Sequence, residues 1–231
     1  MNNLRKVALS AMVLATIILA SCGSKPNYNV SLKNDTDSAS YFLGYFYGKQ
    51  ITSMGLEEPN IDAIAKGWKD AKEKVELKES EQEVGMFLQN FFTELEQKVS
   101  EKSLKEGQDF LEKNKTKPGI VTMPSGLQYR IITEGSGAKP SMADNVDVIY
   151  HGTLIDGTVF DSSRDRQDTA TFPVGGVVRG FSEALTLMSE GSTWEVYIPA
   201  ELGYGERPQR SIKPNSTLIF EIELVKINKE E

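Results

Sequence analysis

The sequence predicts an α+β fold, in which an all-helical amino-terminal half precedes an antiparallel sheet that packs on one short helix. Between residues 35 and 117, apolar side chains recur every three or four positions, as on one face of a helix. After Pro118, apolar and polar side chains alternate, which is typical of half-buried strands. A single helical stretch, "GFSEALTLMSEG", lies among these strands.

Residues 1–21 predict an export signal. Arg5 and Lys6 precede the apolar run "VALSAMVLATIILA", which has the length of a signal-peptide core and is short for a membrane span. The run ends in "LASC", which resembles a bacterial lipobox and implies cleavage before Cys22 and its lipidation; the alternative is an ordinary secretory signal. Lipidation explains why the only cysteine lacks a partner. We expect a lipid-anchored protein of the cell envelope, on the periplasmic side of the outer membrane, with 22–34 as a polar tether.

The segment 35–117 predicts helices that associate with a second copy of the chain. It opens with cap-type residues, and five of the seven residues 41–47 are aromatic. Small residues recur at a spacing of four from Ser40 to Thr52, which lets another helix approach closely. The alternative is a small helical domain with its own core. Because three short helices hide so many rings poorly, we expect a homodimer through 35–117.

The last helical segment of this half is the longest and begins near Ser80. Its apolar face comprises Val84, Phe87, Leu88, Phe91, Phe92, Leu95 and Val99. Beyond Val99 this face thins and charges surround the helix, a pattern typical of helices that bridge domains through solvent. An unbroken helix to about Lys115, just before "KPG", would span on the order of 50 Å.

Five stretches of the second half predict strands. They are 127–133, 145–154, 158–163, 192–200 and 216–227. The Asp156-Gly157 pair joins two of them and predicts a type I′ hairpin. In the helical stretch between strands, one face comprises Phe181, Ala184, Leu185 and Met188.

Charge and composition exclude several functions. The 231 residues carry a formal net charge of −7 and no basic stripe, so we expect no nucleic-acid partner. With one histidine and one cysteine, only carboxylates remain as metal ligands, and they have no recognisable loop spacing. The sequence therefore predicts neither a metal site nor a cofactor.

The stretch "VIYHGTLIDGTVFDSSRDR" has the residue types of a hydrolase, because the only histidine, His151, is followed by acids and serines. These are Asp156, Asp161, Ser162, Ser163 and Asp165. Strand alternation places Tyr150 on the inner, apolar face and His151 on the outer face. A triad needs a base beside the nucleophile and a third group that orients the base, and no G-x-S-x-G elbow occurs here. We therefore expect His151 to be a surface residue.

Several apolar residues fall in loops and at strand ends. The set comprises Tyr150, Phe160, Phe172, Val177, Val178, Phe181, Tyr204, Ile212 and Phe220. This placement favours an apolar pocket with a few polar groups at its rim. The alternative is that these residues form only a core.

Three stretches of the second half resemble the FKBP-type peptidyl-prolyl cis–trans isomerases: "VIYHGTLIDGTVFDSSRDR", "FPVGGVVRGFSEALTLMSEGSTWEVYIPAELGYG" and "IKPNSTLIFEIELVKI". The resemblance spans about 120–228 and identifies 118–231 as an isomerase domain. It implies a twisted antiparallel sheet wrapped around one short helix, the FKBP fold. The segment 35–117 is similar to the amino-terminal dimerisation domain of Mip-like bacterial members.

The resemblance also implies roles for individual residues. Catalysis would fall to Tyr204 and Val178, whose hydroxyl and backbone N–H hold substrate carbonyls, and to Asp161. Asp161 would organise the pocket rather than act as a base, by bonding Tyr150 and pairing with Arg166. The substrate-binding residues would be Tyr150, Phe160, Phe172, Val177, Phe181, Ile212 and Phe220, with Phe181 as the floor.

Three features depart from the family's usual pattern. Phe181 stands where tryptophan is usual and lacks the indole donor, and Trp194 is no substitute because it belongs to a strand. Ala170 stands at a wall position that is often aromatic, and the loop between Tyr204 and Ile212 is short. These departures bear on substrate preference and on the binding of macrolide ligands.

The implied activity requires no nucleophile. Rotation about a peptide bond faces a barrier of ~18–20 kcal/mol, and the bond before proline commonly populates both isomers. Twisting removes the charge-separated resonance form, so an apolar pocket favours the less polar transition state. We expect an enzyme that accelerates proline-limited folding of envelope proteins, binds unfolded or proline-containing polypeptides and has an associated chaperone activity. The alternative is a non-catalytic holdase.

Overall fold

The computed structural model describes residues 29–164, 169–207, 209 and 212–228. The expected signal peptide, Cys22 and Arg166 lie outside these residues. Within the described part of the chain, no helix combines the length and the apolar character needed to span a bilayer.

Between residues 29 and 117, the chain forms three helices: α1 (Asp35–Ser53), α2 (Ile61–Lys72) and α3 (Glu81–Asn114). Each begins at a side chain that accepts a hydrogen bond from a backbone N–H of the first turn; these caps are Asn34, Asn60 and Ser80. At Ser80 the cap is reciprocal, because the Glu83 carboxylate accepts from the Ser80 N–H at 2.8 Å. The 34 residues of α3 run without a break, which confirms the predicted long helix of about 50 Å.

The amino-terminal helices leave most of their aromatic side chains exposed. Neither α1 nor α2 buries a residue, and α3 buries only Gly107 and Asn114, near its carboxyl end. Phe46 and Phe87 are each 66% exposed, and Trp68 is 68% exposed. Because helices in proteins owe most of their stability to the packing of an apolar face, one chain alone gives this unit no core.

The carboxy-terminal half contains seven antiparallel strands among the described residues. They are β1 (Val121–Thr122), β2 (Gln128–Thr133), β3 (Asn145–Leu154), β4 (Val159–Ser162), β5 (Ala170–Pro173), β6 (Thr193–Ile198) and β7 (Leu218–Asn228). Their order is β1-β2-β6-β7-β3-β4, and β5 pairs with the first half of β3 on the side where β4 pairs with its second half. The five predicted strands are present. β1 and β5 were missed because two and four residues are too few to show an alternation.

The turn between β3 and β4 differs from the predicted type I′ hairpin. The Gly157 N–H donates to the Leu154 carbonyl at 3.0 Å, and the Leu154 N–H donates to the Thr158 carbonyl at 2.9 Å. Gly157 has a φ of +85°, whereas Asp156 is not among the residues with positive φ. A type I′ turn needs positive φ at both central residues, so the predicted type was wrong. The loop instead has three residues, with glycine in the left-handed region.

The short helix α4 (Arg179–Leu187) packs on the sheet through the predicted face. The buried residues of that face are Phe181, Ala184, Leu185 and Met188. Gly180 permits the close approach, because a Cβ there would lie 2.5 Å from Cγ2 of Ile198 in β6. A helical half followed by an antiparallel sheet around this helix confirms the predicted α+β class.

The carboxyl end of α3 is fixed to the sheet. Asn114 is fully buried, and its Nδ2 donates to Oε1 of Gln128 at 3.0 Å. The Gln128 side chain in turn donates to the Leu111 carbonyl at 3.0 Å. The rings of Phe110 and Tyr197 lie 5.9 Å apart. The expected bridge through solvent was therefore wrong at this end, where the helix packs directly on β2 and β6.

Candidate active site

Five aromatic rings converge between the sheet and α4. Between ring centroids, Tyr150 lies 5.8 Å from Phe172, 6.2 Å from Phe181 and 6.3 Å from Phe220. Phe220 also meets Phe160 at 5.3 Å and Phe181 at 5.0 Å, both edge to face. Edge-to-face contacts are favoured because the positive edge of one ring meets the negative face of the other. These are five of the six aromatic residues that the sequence assigned to a pocket, the sixth being Tyr204, and we refer to the five together as the ring cluster.

A bulge in β4 turns two consecutive residues toward the ring cluster. In a regular strand, neighbouring side chains point to opposite faces. Here the pairing of β3 with β4 shifts register after Gly152. Phe160 consequently contacts Phe220, while Asp161 bonds Tyr150. Bulges commonly redirect a side chain beside an active site, and nothing in the alternation of the sequence indicated this one.

Gly152 lies beside the ring cluster, and the sequence analysis missed it. It pairs with both Asp161 on β4 and Phe220 on β7. A Cβ at this position would lie 2.7 Å from Cζ of Phe160 and 2.8 Å from Cε1 of Phe220. The missing side chain is therefore what lets the two rings meet. A glycine in the interior of a long strand was the available signal, because it often marks a close approach.

Asp161 is hydrogen-bonded to the ring cluster. Its Oδ2 accepts from the Tyr150 hydroxyl at 2.6 Å, and its Oδ1 accepts from the Ser162 N–H at 2.9 Å. Tyr150 is 4% exposed, so the carboxylate satisfies a phenol that is otherwise largely enclosed. The expected partner Arg166 lies outside the described residues.

The segment before α4 supplies a wall of the cluster. Val177 and Val178 are half-buried and pack against the core. The Val178 carbonyl accepts from the N–H groups of Phe181 and Ser182 at 2.9 and 3.0 Å, whereas its own N–H has no acceptor in the described part of the chain. The Ser182 hydroxyl donates to the Val174 carbonyl at 2.6 Å and holds this segment in place. The sequence analysis missed Ser182, since a serine inside a short helix gives no distinctive pattern.

Tyr204 and Ile212 lie in the loops that follow β6 and pack with the core of the carboxy-terminal half. Tyr204 is half-buried and packs against the core, and Ile212 is 6% exposed. Burial, and secondarily the negative charge of Asp161, raises the pKa of Tyr204 above its ordinary value. The phenol is therefore protonated at neutral and mildly alkaline pH and able to donate a hydrogen bond.

His151 lies on the outer face of β3, as predicted, but it is half-buried rather than a surface residue. Its Nδ1 lies 3.1 Å from Oγ of Ser162, its neighbour on β4. Ser162 is only 5% exposed. The β7 residue opposite His151 is Glu221, and its carboxylate pairs with Arg164. A buried serine and a carboxylate that is engaged elsewhere do not make a nucleophilic site.

The chemistry available at the ring cluster is binding by apolar surface, with a phenol and a backbone N–H as hydrogen-bond donors. Among the described residues, no three histidine, cysteine, aspartate or glutamate side chains are placed to hold a metal ion. An antiparallel sheet around one helix, with aromatic rings between them, is the arrangement that the resemblance to FKBP-type prolyl isomerases implies.

Both halves of the chain match models of one family. Residues 136–225 match the model described as FKBP-type peptidyl-prolyl cis-trans isomerase. Residues 36–131 match the model of the domain amino terminal to FKBP-type peptidyl-prolyl isomerase. The two matches follow each other in the order of the helical half and the sheet.

Individual relatives and a solved structure indicate the same family. The chain is 46% identical over 207 residues to the outer membrane protein MIP of Legionella longbeachae, covering 86% of this chain and 88% of that protein. It is 44% identical over 193 residues to the FKBP-type 22 kDa peptidyl-prolyl cis-trans isomerase of Escherichia coli K12, covering 82% and 94%. The crystal structure of FkpA from Escherichia coli matches with a TM-score of 0.64 and 32% identity, over 86% of this chain and 99% of that one. The chain therefore belongs to the FKBP-type peptidyl-prolyl cis–trans isomerases, and it is an enzyme rather than a non-catalytic holdase.

Gly152→Ala should lower kcat/KM at least about fivefold, because the new methyl group pushes the Phe160 and Phe220 rings apart, and overpacking of this kind costs about 1–3 kcal/mol. The measurement is the isomerisation rate of a proline-containing tetrapeptide, with thermal unfolding followed in parallel. Thr153→Ala, which changes the neighbouring, outward residue of β3, is the control and should leave the rate unchanged. Wild-type kcat/KM in Gly152→Ala would show that the close approach does not shape the pocket.

Proposed function

We propose that prolyl bonds of unfolded or proline-containing polypeptides are isomerised at the ring cluster. The observation that carries the proposal is the 2.6 Å hydrogen bond from the Tyr150 hydroxyl to Asp161, which places a satisfied polar group beside enclosed apolar rings. Phe181 forms the floor, and the proline ring packs between it, Val177 and Phe220. The remaining walls are Phe160, Phe172 and Ile212.

Catalysis follows from the polarity of this surface. The planar peptide bond draws on a charge-separated resonance form, which is lost as the bond twists. A site lined with apolar side chains therefore binds the twisted, less polar state better than the planar one, and differential binding of this kind lowers the barrier. The Tyr204 hydroxyl and the Val178 N–H donate to carbonyl groups of the substrate, which holds the prolyl bond over Phe181.

Asp161 is proposed to organise the pocket rather than to transfer protons. Its carboxylate fixes the Tyr150 ring, which contacts Phe172, Phe181 and Phe220 at once. Arg166, at the position expected from the family resemblance, would pair with the same carboxylate. Twisting a peptide bond consumes and releases no proton, so the reaction assigns no task to a base.

Asp161→Asn should retain most of the activity, because an amide oxygen still accepts from the Tyr150 hydroxyl. Asp161→Ala and Tyr150→Phe should each lower kcat/KM by about tenfold, the effect of a hydrogen bond to a charged group worth roughly 1.5 kcal/mol. Combining them should lower it little further, because both remove the same bond. Peptide isomerisation and proline-limited refolding of a test protein are the measurements.

One outcome would contradict the role proposed for Asp161, and the pH dependence of the rate tests the role proposed for Tyr204. A loss in Asp161→Asn as large as in Asp161→Ala would indicate that the charge or a proton transfer matters, and not the geometry. The pH profile tests Tyr204, whose raised pKa keeps the donor protonated. Because that pKa is raised, wild-type kcat/KM should stay constant through the mildly alkaline range and fall only above the pH at which an ordinary tyrosine loses its proton. Tyr204→Phe should have lower activity without that alkaline decline.

We further propose that 35–117 forms a homodimer. Aromatic side chains more than half exposed occur on α1, α2 and α3, among them Phe42, Phe46, Trp68 and Phe87. Contiguous apolar surface of this kind marks an interaction site in a soluble protein. A second copy offers the same surface, and an isologous contact would cover both at once. An associated chaperone activity would come from two isomerase domains that hold one unfolded client.

Phe42→Glu with Phe46→Glu should convert the dimer of residues 23–231 into a monomer, because two charges would be buried at the interface. Light scattering with in-line separation gives the mass. Lys139→Glu places a negative charge on the exposed surface of the carboxy-terminal half, away from the helices, and should leave the dimer intact. Suppression of client aggregation should fall in the monomer, while tetrapeptide isomerisation stays near wild type. A monomeric mass for the wild-type chain would contradict the proposal.

We propose that the protein resides in the cell envelope, anchored to the outer membrane by lipid on Cys22 and facing the periplasm. The sequence "LASC" supports the anchor, and a relative that is 46% identical is named an outer membrane protein. Cys22→Ser should abolish incorporation of labelled fatty acid and release the protein from membranes. Unchanged labelling in that variant would contradict the assignment.

A further inference from the structure

The loop that carries Ile212 is bound to the helical half of the chain. Lys213 pairs with Glu57, which lies between α1 and α2, at 3.1 Å. Nδ2 of Asn215 donates to Oγ of Ser100 on α3 at 2.8 Å. Thr217 packs against α3 so closely that a Cβ on Gly107 would lie 2.3 Å from its hydroxyl. Segment 213–217 therefore touches the helical half at three successive points.

Asn215 also holds the turn that carries Tyr204. Its N–H donates to the Gly205 carbonyl at 2.7 Å. Asn215 has a φ of +56°, one of two positive values among the described non-glycine residues. Asparagine tolerates this left-handed conformation better than most residues. That backbone geometry directs the N–H toward Gly205 while the side chain reaches Ser100 in the opposite half of the protein.

We infer that Asn215 is a positioning residue, through which α3 holds the Tyr204 turn and Ile212 at the rim of the pocket. The inference rests on the proposed pocket. Its consequence is that binding of a prolyl peptide depends on a helix that does not touch the substrate. The chain of contacts is short: α3 through Ser100, then Asn215, then Gly205 beside Tyr204.

Variants of Ser100 and Asn215 distinguish a positioning role of their hydrogen bond from a general structural role. Ser100→Ala removes the helix side of the bond, and Asn215→Gly removes the other side without straining a positive φ. Each should raise KM for a proline tetrapeptide about threefold to fivefold with little change in kcat, the effect of one hydrogen bond. The double variant should be no worse than either single one. In Asn215→Asp, the new carboxylate can accept from the Ser100 hydroxyl, so KM should stay at the wild-type value.

Ser103→Ala is the matched control. It makes the same substitution one turn further along α3, at another half-buried serine, and should leave KM unchanged. Amide hydrogen exchange across residues 203–218 gives a readout independent of catalysis. Exchange should rise in Ser100→Ala and Asn215→Gly, and not in Ser103→Ala.

Several results would overturn the inference. Wild-type KM in Ser100→Ala, or equal effects of Ser100→Ala and Ser103→Ala, would show that the bond does not position the pocket. Additive effects in the double variant would show that the two residues act separately. If Tyr204→Phe has wild-type activity, the proposed pocket fails instead. In that case, amide hydrogen exchange is the remaining test of the contact between Ser100 and Asn215. Unchanged protection of residues 203–218 in Ser100→Ala would refute the contact's positioning role.

Discussion

Strand β3 pairs with three neighbours at once, β7 along one side and β4 and β5 along the other, and the rest of the carboxy-terminal half depends on that register. Alternate residues from Val146 to Leu154 face the core and are buried. A shift by one residue would turn this whole set outward. Tyr150 would leave the ring cluster, and Gly152 would no longer face the Phe160 and Phe220 rings. The packing of the core and the shape of the pocket are thus fixed by the same ladder.

Long patterns in the sequence predicted the fold well, and short ones did not. The ten residues of β3 and the apolar face of α3 were found because their repeats run over many residues. The turn at Gly157, the bulge before Asp161 and the short strands β1 and β5 depend on pairing with distant residues. The aromatic residues of the ring cluster were predicted from their place in loops and at strand ends and from the family resemblance. Gly152 was found only in the structure, because its role is to leave room for the Phe160 and Phe220 rings.

The two halves of the chain differ in how they are stabilised. The sheet and α4 enclose a continuous core, with Leu127, Val146 and Leu224 fully buried. The helical half has well-capped ends and exposed rings. Caps contribute about 1 kcal/mol each and leave apolar surface in water. The carboxy-terminal half therefore has its hydrophobic core within one chain, whereas the aromatic side chains of the helical half stay in contact with solvent.

The buried amide pair Asn114–Gln128 restricts how the two halves move. A hydrophobic contact tolerates sliding, but amides satisfy each other only over a narrow range of directions. Rotation of α3 against β2 would leave both amides buried and unbonded, at a cost of about 1–3 kcal/mol for each group. The isomerase domain is consequently not free to swing about the end of α3. Any change in the angle between the isomerase domain and the amino end of α3 therefore has to occur before Ser100, which the Asn215 hydrogen bond also fixes to the carboxy-terminal half.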